Sequence, residues 1–220
     1  MKNIVGMVVG MVLLLTACTT DGYETGDGEY SFLTTEFVEV YSNSQLMLTR
    51  AVDDSDNHFI FKTPCSYSWV SKPDSVYRAI LYYNTNEGET VEPYRVSPVV
   101  VLKLRNKEEV KDIYTDPLIF ESAWISKNRK YLNIGLAVKS GTTESQDEQL
   151  KQIVGILCDE VTIKGDGTKC YHLILTHNQN GVPEYYTNRA YVSMPLDGIG
   201  ANDEIELTIN TYQGPVTIRR

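Results

Sequence analysis

Apolar and polar residues alternate along much of the chain, and this alternation predicts β-strands. Segment 131–138 has an apolar residue at every second position, Leu132, Ile134, Leu136 and Val138. Segment 204–210 repeats the pattern with Ile205, Leu207 and Ile209. One apolar face per strand is typical of an antiparallel sheet that packs one side on a core. The pattern therefore predicts half-buried antiparallel strands.

Further segments share this character, and glycine-containing turns separate them. The predicted strands are 37–41, 45–49, 58–62, 76–83, 96–104, 152–163, 169–176, 185–194 and 216–218. The 15 tyrosines agree with this interpretation, because aromatic rings pack well on pleated surfaces. We therefore predict an all-β protein.

Helix signals are weak and are confined to the middle of the chain. Residues 106–113 have a plausible N-cap, Asn106, and could form two helical turns. The surrounding stretch 106–117 is charged, lacks β periodicity and closes with Asp116-Pro117. We place the domain boundary there and predict β domains at residues 32–113 and 114–220.

The N-terminus has the three parts of a bacterial secretory signal. Lys2 precedes an apolar run, residues 4–15, and small residues lead to Cys18. The run is too short to span a bilayer, which needs roughly 20 apolar residues. We predict a signal peptide at residues 1–17, lipidation at Cys18 and a flexible spacer at 18–31. The alternative is an ordinary secretory signal with a chance cysteine.

Lipidation would place the protein in the cell envelope, with a membrane as partner through its N-terminal lipid. Thr19 stands where an aspartate would favour inner-membrane retention, so we expect the outer membrane, either facing the periplasm or exposed on the surface. The net charge of −9 and the pI near 4.9 argue against binding to phosphate backbones. We therefore expect no nucleic-acid partner.

Three cysteines remain beyond Cys18: Cys65, Cys158 and Cys170. A hairpin turned at 165–167 pairs Ile163 with Lys169 or Cys170, which leaves Cys158 several residues up the ladder from Cys170. A disulfide needs Cα atoms within about 7 Å. We interpret all three as small buried apolar residues, with a bridge between Cys158 and Cys170 left open.

Catalytic and metal-binding motifs are missing from the sequence. The three histidines, His58, His172 and His177, show no spacing that would bring them together on a metal. The acidic run 53–57 lacks the glycine and glutamate of an EF-hand loop and is more simply an exposed turn. We predict no enzyme activity, no metal and no cofactor.

The aromatic residues are the best candidates for a binding surface. Trp124, Tyr131, Tyr185, Tyr186 and Tyr191 could together grip sugars or peptide side chains. On one strand, Tyr185 and Tyr191 share a face and Tyr186 takes the other. Burial in a core is the alternative explanation for most of them.

Several stretches resemble the NigD-like lipoproteins of Bacteroidales. They are Asp21-Gly22-Tyr23-x-x-Gly26-Asp27, Trp124-Ile125, Tyr131-Leu132-Asn133-Ile134, the segments 172–178 and 184–187, and the Tyr-x-Val-Ser-x-Pro-Leu pattern at 191–196. The resemblance covers nearly the whole mature chain, although residues 32–113 match only in pattern. The polar loop 140–149 and the three leftover cysteines depart from the family pattern.

The resemblance implies an N-terminal OB-like barrel followed by a C-terminal antiparallel β-sandwich. It also implies an envelope lipoprotein with no catalytic residues to carry over, from a family in which bacteriocin immunity has been suspected. We therefore expect a non-enzymatic protein that binds another macromolecule, a protein or a glycan, through its β-sandwich or the mouth of its barrel. The alternative is a glycan-binding accessory lipoprotein that uses exposed aromatic rings.

Overall fold

The computed structural model describes residues 33–84, 89–142 and 150–220. They form fifteen strands in three sheets, with one turn of 3₁₀ helix at Lys107–Glu109. The predicted all-β class is confirmed. No helix in the described ranges is long and apolar enough to cross a bilayer. The predicted signal peptide, Cys18 and the spacer lie outside these ranges.

The first sheet is a half-barrel of six strands in the order β5-β3-β2-β1-β4-β6. Their bounds are β1 Leu33–Ser42, β2 Met47–Asp53, β3 His58–Ser66, β4 Val76–Asn84, β5 Thr90–Val91 and β6 Arg95–Pro98. β1 lies between β2 and β4 and is antiparallel to both. Val38, Val40 and Leu81 are fully buried in the core that this sheet encloses.

The remaining strands form a sandwich of two sheets. The second sheet has the order β7-β13-β10-β9, and the third has the order β15-β14-β12-β11-β8. The bounds are β7 Val100–Val101, β8 Leu104–Asn106, β9 Ile119–Ile125, β10 Tyr131–Ser140, β11 Ile153–Ile163, β12 Lys169–Asn178, β13 Tyr186–Pro195, β14 Glu204–Thr211 and β15 Gly214–Arg219. Alternating apolar residues from both sheets, such as Ile134 and Leu173, fill the space between them.

The predicted sandwich is confirmed, but its sheets are mixed rather than wholly antiparallel. β12 and β14 are parallel neighbours in the third sheet, because β13 crosses to the second sheet between them. β8 and β7 also pair in parallel, with β11 and β13. The alternation of single strands shows which face is buried and does not reveal the direction of the neighbouring strand.

The prediction of a single strand at 96–104 is wrong, because this stretch supplies three short strands to three different sheets. β6 joins the first sheet, β7 the second and β8 the third. Val99 and Leu102, where the chain passes from one sheet to the next, are buried. The apolar pattern therefore continues through both connections and resembles that of one strand. The predicted domain boundary at 113/114 stays a prediction; residues 100–106 already pair with strands of the sandwich.

The helix predicted at 106–113 is limited to the 3₁₀ turn Lys107–Glu109. Asn106 precedes the turn but makes no side-chain capping hydrogen bond, and no residue of the turn is buried. A short helix without an apolar face to bury is marginal, so the stretch continues as an irregular connection instead. β9, by contrast, is a strand that the pattern did not predict.

The hairpin of β11 and β12 has the predicted register. Ile163 pairs with Lys169 across the turn, whereas Cys158 pairs with Leu173 and Cys170 pairs with Thr162. The two cysteines are therefore separated along the ladder, and both are free and buried. Cys65 on β3 is also free but only half-buried.

Candidate functional site

The first sheet and the sandwich meet at a contact that we call the joint, and Arg78 lies at its centre. Arg78 is on β4, and its side chain is 1% exposed. Its guanidinium donates two hydrogen bonds to the carboxylate of Asp54, at 2.7 and 2.8 Å. It also donates to Asn133 Oδ1 on β10 at 3.0 Å and to Ser193 Oγ on β13 at 3.2 Å. One cation therefore links three strands of two different units.

The remaining polar atoms of this cluster are also paired. Ser193 Oγ donates to Asn133 Oδ1 at 2.7 Å, and Asn133 Nδ2 donates to Asp54 Oδ2 at 2.9 Å. A buried ion pair is tolerated only where such additional hydrogen bonds satisfy its atoms. This closed network fixes the sandwich against the first sheet, and it presents no open group to a ligand.

A second set of polar contacts extends the joint through Glu39 on β1. Its carboxylate accepts hydrogen bonds from Tyr131 at 2.8 Å and from Lys130 at 3.0 Å. Partial burial raises the pKa of Glu39, but these two hydrogen bonds, together with the positive charges of Lys130 and Arg78, outweigh it and hold the pKa below the ordinary value of 4.5. Burial, followed by the hydrogen bond to Glu39, raises the pKa of the Tyr131 hydroxyl.

Aromatic rings form the apolar part of the joint. The ring of Phe37 on β1 packs edge-on against Trp124 and Tyr191, with centroids 5.3 and 5.2 Å apart. Arg78 lies 4.1 Å above the ring of Tyr131. Three of the five predicted binding residues, Trp124, Tyr131 and Tyr191, therefore meet at the joint and make contacts inside the molecule.

The other two predicted residues lie at the opposite end of the sandwich, where β10 ends and β13 begins. We call this the distal end. Tyr185 is 70% exposed and Tyr186 is 50% exposed. Tyr185 is held by a backbone hydrogen bond to Ser140 and by contact with Gly141, where an added Cβ would come within 2.7 Å of the tyrosine ring. The structure thus divides the predicted aromatic set into two groups.

Further residues of the distal end surround these tyrosines. Tyr212 donates a hydrogen bond to Glu184 at 3.3 Å, and Lys139 lies 3.2 Å from the same carboxylate and 4.2 Å from the Tyr212 ring. Tyr212 also borders a depression of 200 Å³ lined by Leu118, Ile119, Phe120, Thr211, Gln213 and Val216. The distal end therefore combines exposed aromatic rings, a small apolar hollow and a charged pair.

The residues considered for metal binding are not brought together. Among the described residues, no group of three or more His, Cys, Asp or Glu side chains could hold a metal ion. His172 lies 3.4 Å from Glu206 on the outer face of the third sheet, and His177 is buried beside the Asp116 carbonyl. The carboxylate of Asp53 accepts hydrogen bonds from Ser55 and Asn57, which closes the acidic turn on itself.

The sequence reasoning missed Arg78 and Asp54. Arg78 interrupts the otherwise apolar strand β4 at a position whose neighbours Ala79 and Leu81 are fully buried. A cation inside such a run signals a buried ionic partner, because charged residues are seldom fully buried unless paired. Asp54 gave no comparable signal, since it stands within an acidic turn.

The fold and residue pattern match known proteins. A family model, the NigD-like C-terminal beta sandwich domain, matches residues 99–219. A solved NigD-like immunity protein from Bacteroides caccae ATCC 43185 is 21% identical with a TM-score of 0.64, covering 85% of this chain and 91% of its own. Among curated proteins, none matches this chain significantly.

Two further solved structures share the fold over similar lengths. A protein of unknown function from Bacteroides vulgatus ATCC 8482 is 18% identical with a TM-score of 0.62, covering 86% of this chain and 90% of its own. A candidate lipoprotein from Bacteroides fragilis NCTC 9343 is 11% identical with a TM-score of 0.55, covering 86% and 96%. At these identities the likeness is one of fold.

Proposed function

This chain belongs to the NigD-like family, and on that premise we propose that it is a lipid-anchored envelope protein that binds another protein through the distal end of its sandwich. Binding is its whole activity in this proposal, without catalysis. The specific version is bacteriocin immunity, in which the bound protein is the toxin or its receptor. The similarity in fold to the Bacteroides caccae immunity protein supports this version.

The observation that carries the proposal is the exposure of Tyr185 and Tyr186 where the chain enters β13. Tyrosine offers a large amphipathic contact area with few rotatable bonds, so little side-chain entropy is lost on binding. Tyr185 is held against Gly141, and the nearby ion pair of Lys139 with Glu184 ties β10 to the chain entering β13. The Tyr185 ring is therefore presented to solvent from a contact with Gly141, and the exposed Tyr186 ring lies next to it at the start of β13.

Lipidation of Cys18 is the second part of the proposal. The charged, apolar and small-residue order of residues 1–18 supports it, and the fold shared with the candidate lipoprotein from Bacteroides fragilis agrees with it. Several acyl chains would make attachment to the outer membrane effectively permanent. Metabolic labelling with an alkyne-tagged fatty acid tests this step, since the wild-type chain incorporates label and Cys18→Ser does not.

Gene deletion followed by bacteriocin challenge tests the immunity version. The deletion strain is expected to become sensitive to a bacteriocin from related strains, and the wild-type gene to restore resistance. A Tyr185→Ala/Tyr186→Ala gene should fail to restore it, whereas Tyr94→Ala, which removes a 59% exposed tyrosine just before β6, should restore it fully. Unchanged sensitivity of the deletion strain would sink the immunity version.

Glycan binding is the second candidate, and the arrangement at Tyr212 favours it. An aromatic ring beside a carboxylate and an ammonium group, here Glu184 and Lys139, can stack on a sugar and hydrogen-bond its hydroxyls. A glycan array probed with the soluble chain (residues 21–220) separates the two candidates. Binding that Tyr212→Ala abolishes supports the glycan candidate, and no signal above background removes it.

A further inference from the structure

The strand β13 has a free edge next to the distal end. It pairs with β10 along its whole length, from Tyr186 to Pro195, whereas on its other side β7 pairs only with Val192 and Ser193. Residues 186–191 are all exposed. Within the described ranges, no strand covers this side of residues 186–191, a length of about 20 Å at ~3.3 Å per residue.

The direction of the unpaired backbone groups follows from the pairing with β7. Leu102 N–H donates to the Ser193 carbonyl at 2.8 Å, so the backbone groups of Ser193 face the β7 side. The pairing of β13 with β10 has no register shift, and antiparallel residues face alternate sides in turn. The N–H and C=O groups of Thr187 and Arg189 therefore also face the open side, and they have no partner among the described residues.

Two other edge strands of the sandwich each carry one protecting feature that the free part of β13 lacks. On β9 the guanidinium of Arg220 donates to the Ala123 carbonyl at 2.9 Å. On β15 the second residue is Pro215, which has no N–H to offer. Natural proteins protect exposed edges by such devices because an unprotected edge recruits another strand. Residues 186–191, the free part of β13, include no proline and receive no such capping contact among the described residues.

We propose that an extended segment of a partner protein adds to this edge as a further strand of the second sheet, beside Thr187 and Arg189. The backbone groups of those two residues supply the hydrogen bonds, and flanking Tyr186 and Tyr191 supply apolar contact. This inference rests on the proposed function and names the surface and the form of the protein that is bound.

The charge at the centre of the edge selects a partner segment over a second copy of this chain. An antiparallel second copy would set either Arg189 or Thr187 opposite Arg189, depending on the register, and residues 186–191 contain no carboxylate to pair with it. Like charges directly opposite each other are destabilising. The Arg189 side chain is 81% exposed and uses only its Nε in a 2.6 Å contact with Glu121. A strand with a carboxylate opposite Arg189 fits this edge.

A phage-displayed library of random twelve-residue peptides, selected on the full chain in detergent micelles, tests the inference. Enriched peptides should be rich in β-branched residues with an acidic centre. They should bind Arg189→Pro at least about tenfold more weakly than Arg189→Ala, because proline removes an outward N–H and its ring obstructs the new strand. Thr187→Pro provides an independent variant, and thermal unfolding shows that each variant is folded.

Hydrogen exchange gives a readout that needs no variant. Bound peptide should slow exchange of the Thr187 and Arg189 amides and leave those of Asn188 and Ala190, which face β10, unchanged. Peptides that bind both proline variants as well as wild type, absence of enrichment, or a wild-type dimer that Arg189→Pro dissociates would each overturn the inference. The bacteriocin challenge distinguishes this inference from the proposed function. If the deletion strain is sensitive and an Arg189→Pro gene restores resistance, the strand addition is contradicted and the immunity function is not.

Discussion

The guanidinium of Arg78, on the first sheet, donates a hydrogen bond to Asn133 Oδ1, on the sandwich, at 3.0 Å. The same guanidinium holds Asp54, so the ion pair within one unit is also the polar anchor for the other. Because Arg78, Asn133 and Ser193 are buried and pair with each other and with the half-buried Asp54, each partner depends on the others for its hydrogen bonds. The two units are therefore fixed to each other through a network that has few alternative arrangements.

Removal of Arg78 should strongly destabilise the protein. Arg78→Ala leaves Asp54 without its counter-charge and removes one donor from Asn133 Oδ1 and from Ser193 Oγ, which should lower the free energy of unfolding by about 3–5 kcal/mol. Urea unfolding followed by tryptophan fluorescence measures the change. Arg50→Ala is the matched control: Arg50 is exposed and lies 3.6 Å above the Tyr41 ring, so a loss below about 1 kcal/mol is expected. Equal losses in both variants would contradict the anchoring role.

Glu39 should make stability depend on pH in the acid range. Its pKa is lower in the folded protein than the ordinary 4.5, so its contribution is fully present above that value and is lost as the pH falls through the folded pKa. Stability measured by urea unfolding should thus decline below pH 4.5 less steeply in Glu39→Gln than in wild type. The difference between the two should be largest near neutral pH. Parallel curves would show that Lys130 and Tyr131 do not act on this carboxylate.

Truncation should lower the stability of the protein at the joint but hardly change it at the distal end. Tyr191→Ala removes ring contacts with Phe37 and Trp124 and should cost about 1–2 kcal/mol of stability. Tyr185→Ala removes a ring that is 70% exposed and should change stability by no more than about 0.5 kcal/mol. Thermal unfolding of both variants decides the matter, and a larger loss for Tyr185→Ala would contradict the division into joint and distal end.

The alternation of apolar residues was sufficient to predict most strands, because each strand buries one face whatever its neighbours are. It could not predict where the chain changes sheet: Val99 and Leu102 are buried at the crossings just as strand residues are. The candidate site was predicted only as residue types. Nothing in the sequence spacing of Tyr185 and Tyr191 shows that Phe37, on the first sheet, packs only against Tyr191. Packing between residues far apart in sequence decides which tyrosine is covered, and such packing produces no local sequence pattern.

Gly135 on β10 should tolerate no side chain, because it lies beneath the aromatic part of the joint. An added Cβ would stand 2.8 Å from Ser122 Oγ and 3.1 Å from the ring of Tyr191. Gly135→Ala should therefore lower the free energy of unfolding by about 1–3 kcal/mol. Gly165→Ala, where a Cβ meets nothing within 4 Å, is the control and should have little effect. A Ser122→Ala/Gly135→Ala double variant should recover part of the loss, and no recovery would place the strain on Tyr191 alone.

Cys158 and Cys170 should remain thiols in the isolated protein. Cys158 on β11 pairs with Leu173, whereas Cys170 on β12 pairs with Thr162, so the two cysteines do not face each other. Both are buried. Burial raises the pKa of the Cys158 thiol, so little thiolate is present near neutral pH to react with an oxidant or alkylating agent. Treatment of the Cys18→Ser chain with maleimide, without reductant, should label Cys65, Cys158 and Cys170 completely in urea. In the folded protein the half-buried Cys65 should react first. A mass that lacks two labels in urea would instead reveal a disulfide.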